Sequence, residues 1–226
     1  MGRLMQQTPV HDGHNPDLLR LIPTNSKKII EIGCSSGALA REFKKQSPTV
    51  HWVGMDIDPN YVELAKRYCD QTLAGNIELR DEQFYREYAD RDCWIFGDTL
   101  EHLKDPWAVL GHIRKVIPAH GVVTACIPNA QHWSLIVRLA VGDFRYEDAG
   151  LLDKTHLRWF TRQTMIELFE SQGFKIAEGG PRIFDEPNRE KFLPLIAEIA
   201  KSCGANPEVS VNDALPLQYV VRAIPI

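Results

Sequence analysis

The sequence predicts an α/β fold, a seven-stranded and mostly parallel sheet with helices on both faces. Three observations carry it. Short apolar, β-branched runs alternate with segments of helical period along most of the chain. A small-residue junction, Gly33-Cys34-Ser35-Ser36-Gly37, links the first such run to the first long helix, and the next run ends in an acid, Asp56. Strand–helix alternation implies parallel strands joined by right-handed crossovers, which place helices on both faces of the sheet.

The elements follow in order. Asn15-Pro16 caps and opens a short helix over 17–22. Residues 27–32 read as a buried strand and 38–45 as a helix. Residues 51–56 form the second strand, and Asp58-Pro59 opens a helix reaching Tyr68. A weak third strand lies at 72–74, a fourth at 92–96, a helix over 107–116 and a fifth strand at 121–127. From 128 to 162 the pattern turns to aromatics, histidines and mixed charges, with a helix-like stretch at 133–141 and no clear strand, as expected of a cap or substrate loop. Thr161 caps a helix that ends at Gly173. A sixth strand at 174–178, a helix over 189–203 and a last strand at 217–224 complete the chain. The 226 residues, 44% of them hydrophobic, suit one core with insertions, so residues 1–226 are expected as one domain, with 1–26 as an N-terminal helix or lid.

Composition narrows the function classes. Lys and Arg number 26 against 30 Asp and Glu, and the two signs are mixed, so no general affinity for nucleic acid or an anionic membrane is expected. Five scattered cysteines contain no CxxC pair and no zinc spacing, which points to reduced thiols in the cytoplasm. The first ten residues lack a signal-peptide apolar region, and no apolar run is long enough to span a bilayer.

The chemistry begins at the junction after the first strand. Small residues there let the backbone turn sharply and approach a ligand, and Asp56, nineteen positions after Gly37, can accept hydrogen bonds from both hydroxyls of a ribose. The spacing is G-x-x-x-G rather than the G-x-G-x-x-G that meets a pyrophosphate, and an acid, Glu31, precedes the turn. That favours a nucleoside without pyrophosphate over a dinucleotide; a purely structural tight turn is the alternative reading of the junction alone. No G-x-x-x-x-G-K-[ST] is present, which disfavours a nucleotide triphosphatase.

Ile29-Ile30-Glu31-Ile32-Gly33-Cys34-Ser35-Ser36-Gly37 resembles the first signature of class I S-adenosylmethionine-dependent methyltransferases, and Val53-Gly54-Met55-Asp56-Ile57-Asp58 resembles the second. Gly75-Asn76-Ile77-Glu78 is similar to the loop bordering the adenine, and Phe96-Gly97-Asp98-Thr99-Leu100-Glu101-His102-Leu103 to the motif beside the methionine part. Ala119-His120-Gly121 and Ile127-Pro128-Asn129 frame the fifth strand as in that family. The likeness runs from Lys27 to Phe174; it departs at Ser35, where a glycine is usual, and at Asn76, where an acid is common. It implies a Rossmann-like sheet with an antiparallel last strand and S-adenosylmethionine as the cofactor. Gly33, Cys34, Ser35 and Gly37 would shape the loop under the methionine moiety, with Glu31 ordering it or reaching the methionine amine through water. Asp56 would hold the ribose. Ile57 and Ile77 would flank the adenine in the loop of Gly75 and Asn76, Gly97, Asp98 and Thr99 would face the sulfonium, and His102 would pack near the cofactor.

The sulfonium is already an activated electrophile, so the protein must mainly align an acceptor and remove its proton. That chemistry requires no metal. Candidate bases are His156 first, as base or substrate orienter, then His132, with Asp98, Tyr146 and His102 behind them. His132 follows the fifth strand at the ligand-binding edge of such sheets. An extended 151–161 segment would put His156 and Arg158 on one side. Arg158 either meets an anionic acceptor group or pairs with Asp153 or Asp148. Trp133, Trp159 and Phe160 are expected in packing. The run from Ile127-Pro128-Asn129 through Thr155-His156-Leu157-Arg158-Trp159-Phe160-Thr161 resembles a bacterial branch associated with polysaccharide and glycan biosynthesis. Methyl transfer to an oxygen, or else a nitrogen, of a small-molecule or glycan acceptor is therefore expected. A protein side-chain methyltransferase and a non-catalytic S-adenosylmethionine-binding regulator are the alternatives.

Overall fold

The computed structural model describes residues 12–226. Its strands are β1 (Lys28–Ile32), β2 (His51–Asp56), β3 (Gln71–Ala74), β4 (Cys93–Gly97), β5 (Val122–Pro128), β6 (Phe174–Arg182) and β7 (Gln218–Pro225), in the spatial order β3-β2-β1-β4-β5-β7-β6. Pairing is parallel from β3 through β5, while β7 lies antiparallel between β5 and β6. The expected seven-stranded, mostly parallel sheet with an antiparallel last strand is what forms. Nine helices are present among the described residues: α1 (Pro16–Leu21), α2 (Ala38–Gln46), α3 (Pro59–Ala65), α4 (Glu82–Glu87), α5 (Pro106–Val116), α6 (Trp133–Ala140), α7 (Arg162–Glu170), α8 (Arg189–Ser202) and α9 (Pro207–Ala214).

Side chains alternate across each central strand and so build two cores. Ile30, Ile32, Val53, Met55, Trp94, Phe96, Val123 and Ile127 face one side, against α5 and α7 residues such as Leu110 and Phe169. Ile29, Trp52, Cys93, Ile95 and Cys126 face the other, against Leu18 and Leu21 of α1 and Leu39 and Phe43 of α2. A smaller cluster of Trp133, Ile196 and Ala214 joins α6, α8 and α9 beside the main body. Among the described residues no helix is long and apolar enough to cross a membrane.

Several boundaries differ from the sequence reading. Helix α3 stops at Ala65 rather than near Tyr68. Helices α4 and α9 were not expected. Each is short and set by its cap, with the Asp81 carboxylate accepting from Phe84 N and the Asn206 side chain accepting from Glu208 N and Val209 N. Strand β6 extends to Arg182 through Gly179-Gly180-Pro181, a run whose composition reads as a turn. It is an edge strand paired only with β7, so Pro181 removes no central ladder bond.

Asn129, at the end of β5, ties the cap region to the C-terminal helices. It is fully buried; its Nδ2 donates to Asp213 O and Pro216 O, both at 2.8 Å, and its Oδ1 accepts from Gln131 N at 3.0 Å. Asn129→Ala strands these three backbone groups and is expected to lower unfolding stability by about 2–4 kcal/mol in urea titrations. A loss below about 1 kcal/mol would contradict this account.

Strand β1 is flanked by β2 on one side and β4 on the other, so the crossovers leave in opposite directions at this point. In open α/β sheets a crevice opens there, beyond the carboxyl ends of the strands.

Candidate active site

The crevice is a cavity of about 720 Å³. Its wall comprises residues 31–36 after β1, 56–58 after β2, 75–78 after β3 and 97–99 with 101–104 after β4; residues 13–15 at the start of α1 and 155–157 of the cap also border it. Of the segment 1–26 expected as a helix or lid, residues 1–11 lie outside the described residues, and Gly13, His14 and Asn15 line the cavity.

The loop after β1 owes its shape to left-handed backbone at Gly33 (φ 79°), Ser35 (φ 47°) and Gly37 (φ 79°). Gly33 N and Cys34 N both donate to Met55 O, at 2.8 and 3.1 Å, which bends the chain across the end of β2. A Cβ on Gly33 would stand 2.4 Å from Thr99 Oγ1, and that hydroxyl lies 2.9 Å from Ile32 O and 3.1 Å from Gly97 O. Thr99 thus ties the β1 and β4 loops together. Gly37 lies outside the cavity lining: a Cβ there would meet the backbone of Ala65 at 3.2 Å, so its small size serves the approach of α2 to α3.

Asp56 is buried, and its two oxygens accept from Ser35 N and Asp58 N, each at 2.9 Å. Each oxygen keeps further acceptor capacity, as a ribose diol needs. Burial raises its pKa above the ordinary carboxylate value, against these hydrogen bonds. Glu31 is the more perturbed acid. It sits on the same sheet face as Trp52, whose Nε1 donates to Glu31 Oε2 at 3.1 Å, and opposite Gly54, above which Cys34 and Cys69 close in. Burial in this apolar setting, with Asp56 nearby, pushes Glu31 up to about 8.

Across the cavity lies a group that the sequence reading only half found. His156 and His102 both line it, with ring centroids 4.8 Å apart in an edge-on arrangement, and Glu101, next to His102 in the loop after β4, lines it as well. Glu101 is 1% exposed, and neither carboxylate oxygen has a hydrogen-bond partner; its closest approach to His156 Nε2 is 4.0 Å. Burial and the neighbouring Asp98 hold its pKa well above the usual carboxylate range. Burial lowers the pKa of both histidines, which favours the uncharged ring. In the sequence Glu101 stands out only as part of the motif from Phe96 to Leu103. The available signal was an acid between Leu100 and Leu103, in a turn with no basic neighbour in sequence other than His102.

The remaining candidates divide. Asp98 (φ 52°) borders the cavity and accepts from Gln218 Nε2, and Ile57, Gly75, Asn76, Ile77 and Gly97 border it too. Three lie outside its lining. His132 is fully buried behind α6, with Nδ1 2.8 Å from Ser134 Oγ and Nε2 3.0 Å from Glu186 Oε2. Tyr146 is exposed and packs edge-on against Phe144. Arg158 is exposed, donates to Lys104 O and lies 5.9 Å over the Trp107 ring, rather than pairing with Asp148 or Asp153 as one reading of the sequence had it. The expectation that His156 and Arg158 share a side fails because 151–158 is not extended. His156 N donates to Asp153 O, closing a turn, and Leu157 N and Arg158 N both donate to Glu101 O. The turn buries His156 and leaves Arg158 outside.

A family model described as a methyltransferase domain matches residues 12–178, most of the chain and all four strand-end loops of the cavity. The chain belongs to this methyltransferase family. It is 27% identical over 143 residues to a ubiquinone biosynthesis O-methyltransferase of Histophilus somni, covering 57% of this chain and 59% of that one. It is 25% identical over 113 residues to a malonyl-[acyl-carrier protein] O-methyltransferase of Ilyobacter polytropus, covering 49% and 42%. The methyltransferase chain thus spans less than two thirds of the length of either relative. Among solved structures, an O-methyltransferase from neocarzinostatin biosynthesis, in complex with S-adenosylmethionine and 2-hydroxy-5-methyl naphthoic acid, superposes with a TM-score of 0.57 over 93% of this chain and 53% of that one. At 11% identity that likeness concerns the fold of the methyltransferase.

Proposed function

We propose that this methyltransferase moves the methyl group of S-adenosylmethionine to an oxygen of a small-molecule acceptor. The observation that carries the reading is one cavity with two chemically different walls. On one, Asp56, the loop 33–36 and the apolar side chains of Ile57 and Ile77 suit a nucleoside. On the other, Glu101, His102 and His156 form a polar group where an acceptor would meet the sulfonium. In the transfer, the acceptor oxygen forms a bond to the methyl carbon as the carbon–sulfur bond breaks. The electron pair goes to sulfur, and the acceptor's proton leaves at the Glu101–His102–His156 wall.

The two curated relatives named above are O-methyltransferases, which supports oxygen over nitrogen. The motif likeness of the cap supports a sugar or sugar-linked hydroxyl within that class, and the free cysteines, four of them buried, suit a reducing cytoplasm. The test is a product screen with S-adenosylmethionine against sugars, nucleotide sugars, phenols, peptides and RNA. Methyl ether formation on a hydroxyl of a small molecule is expected. Transfer to peptide or RNA alone would overturn the acceptor class, and cofactor binding without transfer to any of these would make the protein a binder rather than an enzyme. With the accepted substrate, His156→Ala should lower kcat on the order of 10²–10⁴-fold while S-adenosylhomocysteine affinity stays within about twofold; unchanged kcat would remove His156 from the acceptor wall.

A further inference from the structure

Glu101 poses a problem that hydrogen bonding within the protein does not solve. A carboxylate with both oxygens buried and unpartnered is unfavourable unless it meets a proton, a cation or a metal. Two imidazoles stand beside it, and one donor atom from each of Glu101, His102 and His156 lies within 4.8 Å of the others.

The hydrogen bonds around the rings decide which nitrogens keep a lone pair. His102 Nδ1 lies 3.2 Å from Thr155 O and 3.0 Å from Thr155 Oγ1. A carbonyl only accepts, so Nδ1 carries the proton. The Thr155 hydroxyl can receive it, because its own proton is directed to Asp153 Oδ1 at 2.6 Å. His156 Nδ1 lies 3.2 Å from Leu151 O and by the same argument is protonated. Both Nε2 atoms therefore carry lone pairs. An imidazole whose other N–H is held by a carbonyl or a carboxylate-linked hydroxyl is the arrangement found behind metal-ligating histidines.

We propose that Glu101, His102 and His156 bind a first-row divalent cation, of the Mn²⁺, Co²⁺ or Zn²⁺ kind, in the wall of the cavity. Two nitrogens and one oxygen suit such ions better than Ca²⁺ or Mg²⁺, which take oxygen ligands. Small rotations of the side chains bring the three donors to the roughly 2.0–2.2 Å of such bonds. Three protein ligands leave coordination positions open toward the cavity, where an acceptor oxygen can bind. That use of the ion rests on the methyl-transfer reading. The bound hydroxyl loses its proton to water, its oxygen attacks the methyl carbon, and the sulfonium leaves as the neutral thioether. His156 then acts as a ligand to the ion and takes no proton itself.

The experiment titrates the metal-stripped chain with Co²⁺ alone, following visible absorption and thermal unfolding, with S-adenosylhomocysteine calorimetry on the same samples. One ion per chain is expected, with a visible spectrum typical of nitrogen ligation and a rise in Tm. Glu101→Gln and His156→Ala should each weaken Co²⁺ binding on the order of a hundredfold or more while still binding S-adenosylhomocysteine, which shows that they fold. His120→Ala, at an exposed histidine outside the cavity, should bind Co²⁺ as the unmodified chain does. Absence of Co²⁺ binding to the unmodified chain, or binding indifferent to Glu101→Gln, overturns the proposal. Co²⁺ binding without S-adenosylhomocysteine binding would leave the ion site standing and overturn the methyl-donor reading; the reverse result would overturn the ion site alone.

Discussion

Gly33→Ala is expected to reduce S-adenosylhomocysteine affinity on the order of a hundredfold or more while leaving a folded protein. Two costs combine. The residue occupies φ 79°, where an L side chain is strained by roughly 1–2 kcal/mol. Its Cβ would also lie 2.4 Å from Thr99 Oγ1. That hydroxyl is held by Ile32 O and Gly97 O, so it cannot simply turn aside, and relieving the overlap by shifting the loop costs about 1–3 kcal/mol more. Because β1 is central and buried, the displacement falls on the loop facing the cavity, and about 3 kcal/mol expressed in binding is roughly a hundredfold. Calorimetry on Gly33→Ala and on the double variant Gly33→Ala/Thr99→Ala separates the two causes. Removing the hydroxyl should recover part of the affinity and leave the backbone share. Wild-type affinity in the single variant would show that this loop does not contact the ligand.

Glu31→Gln is expected to change how stability depends on pH. In the free protein the Glu31 carboxyl is raised to about 8, whereas in the unfolded chain it titrates near 4.3. Between these values the folded state holds a proton that the unfolded state has lost, so this residue makes stability fall as pH rises, by up to about 5 kcal/mol across the window. The amide of the variant can still accept from Trp52 and has no charge to bury. Urea unfolding at pH 5 should therefore differ little between the two proteins, and at pH 8.5 the variant should be the more stable by several kcal/mol. Equal stability at both pH values would mean that Glu31 is not buried as described. The sequence likeness gives this acid two roles, ordering the loop or reaching the methionine amine through water, and the second is tested by proton release. An ammonium nearby stabilises the charged carboxylate, so S-adenosylhomocysteine binding at pH 7 should release close to one proton, visible as a dependence of calorimetric heat on buffer ionisation. Glu31→Gln should abolish that release.

Much of the fold was legible because it rests on local rules. Asn15-Pro16, Asp58-Pro59 and Thr161 state where helices begin, and each caps its helix as expected. The alternation of Ile29 to Ile32 and of Trp52 to Met55 with helical segments required a sheet covered on both sides. What escaped was short or disguised: α4 is six residues set by one cap, and β6 hides its second half in Gly179-Gly180-Pro181, which becomes a strand only because β7 lies beside it.

By itself the sequence determined the strand-end loops that line one side of the cavity, Glu31 to Ser36, Asp56 and Gly75 to Ile77, where we propose that the cofactor binds, since a turn that needs glycine and an acid that ends a strand are properties of neighbouring residues. The tertiary structure decided the wall proposed to meet the acceptor. Glu101 and His156 are 55 positions apart in the chain and meet only because the cap turns back at Asp153 and binds its Leu157 and Arg158 amides to the Glu101 carbonyl. That same turn left Arg158 outside the cavity, and His132, at the start of α6, is buried beside Glu186 instead of lining the cavity. Whether a charged group is buried, and what it meets there, depends on contacts between distant segments, which no local pattern of residues encodes.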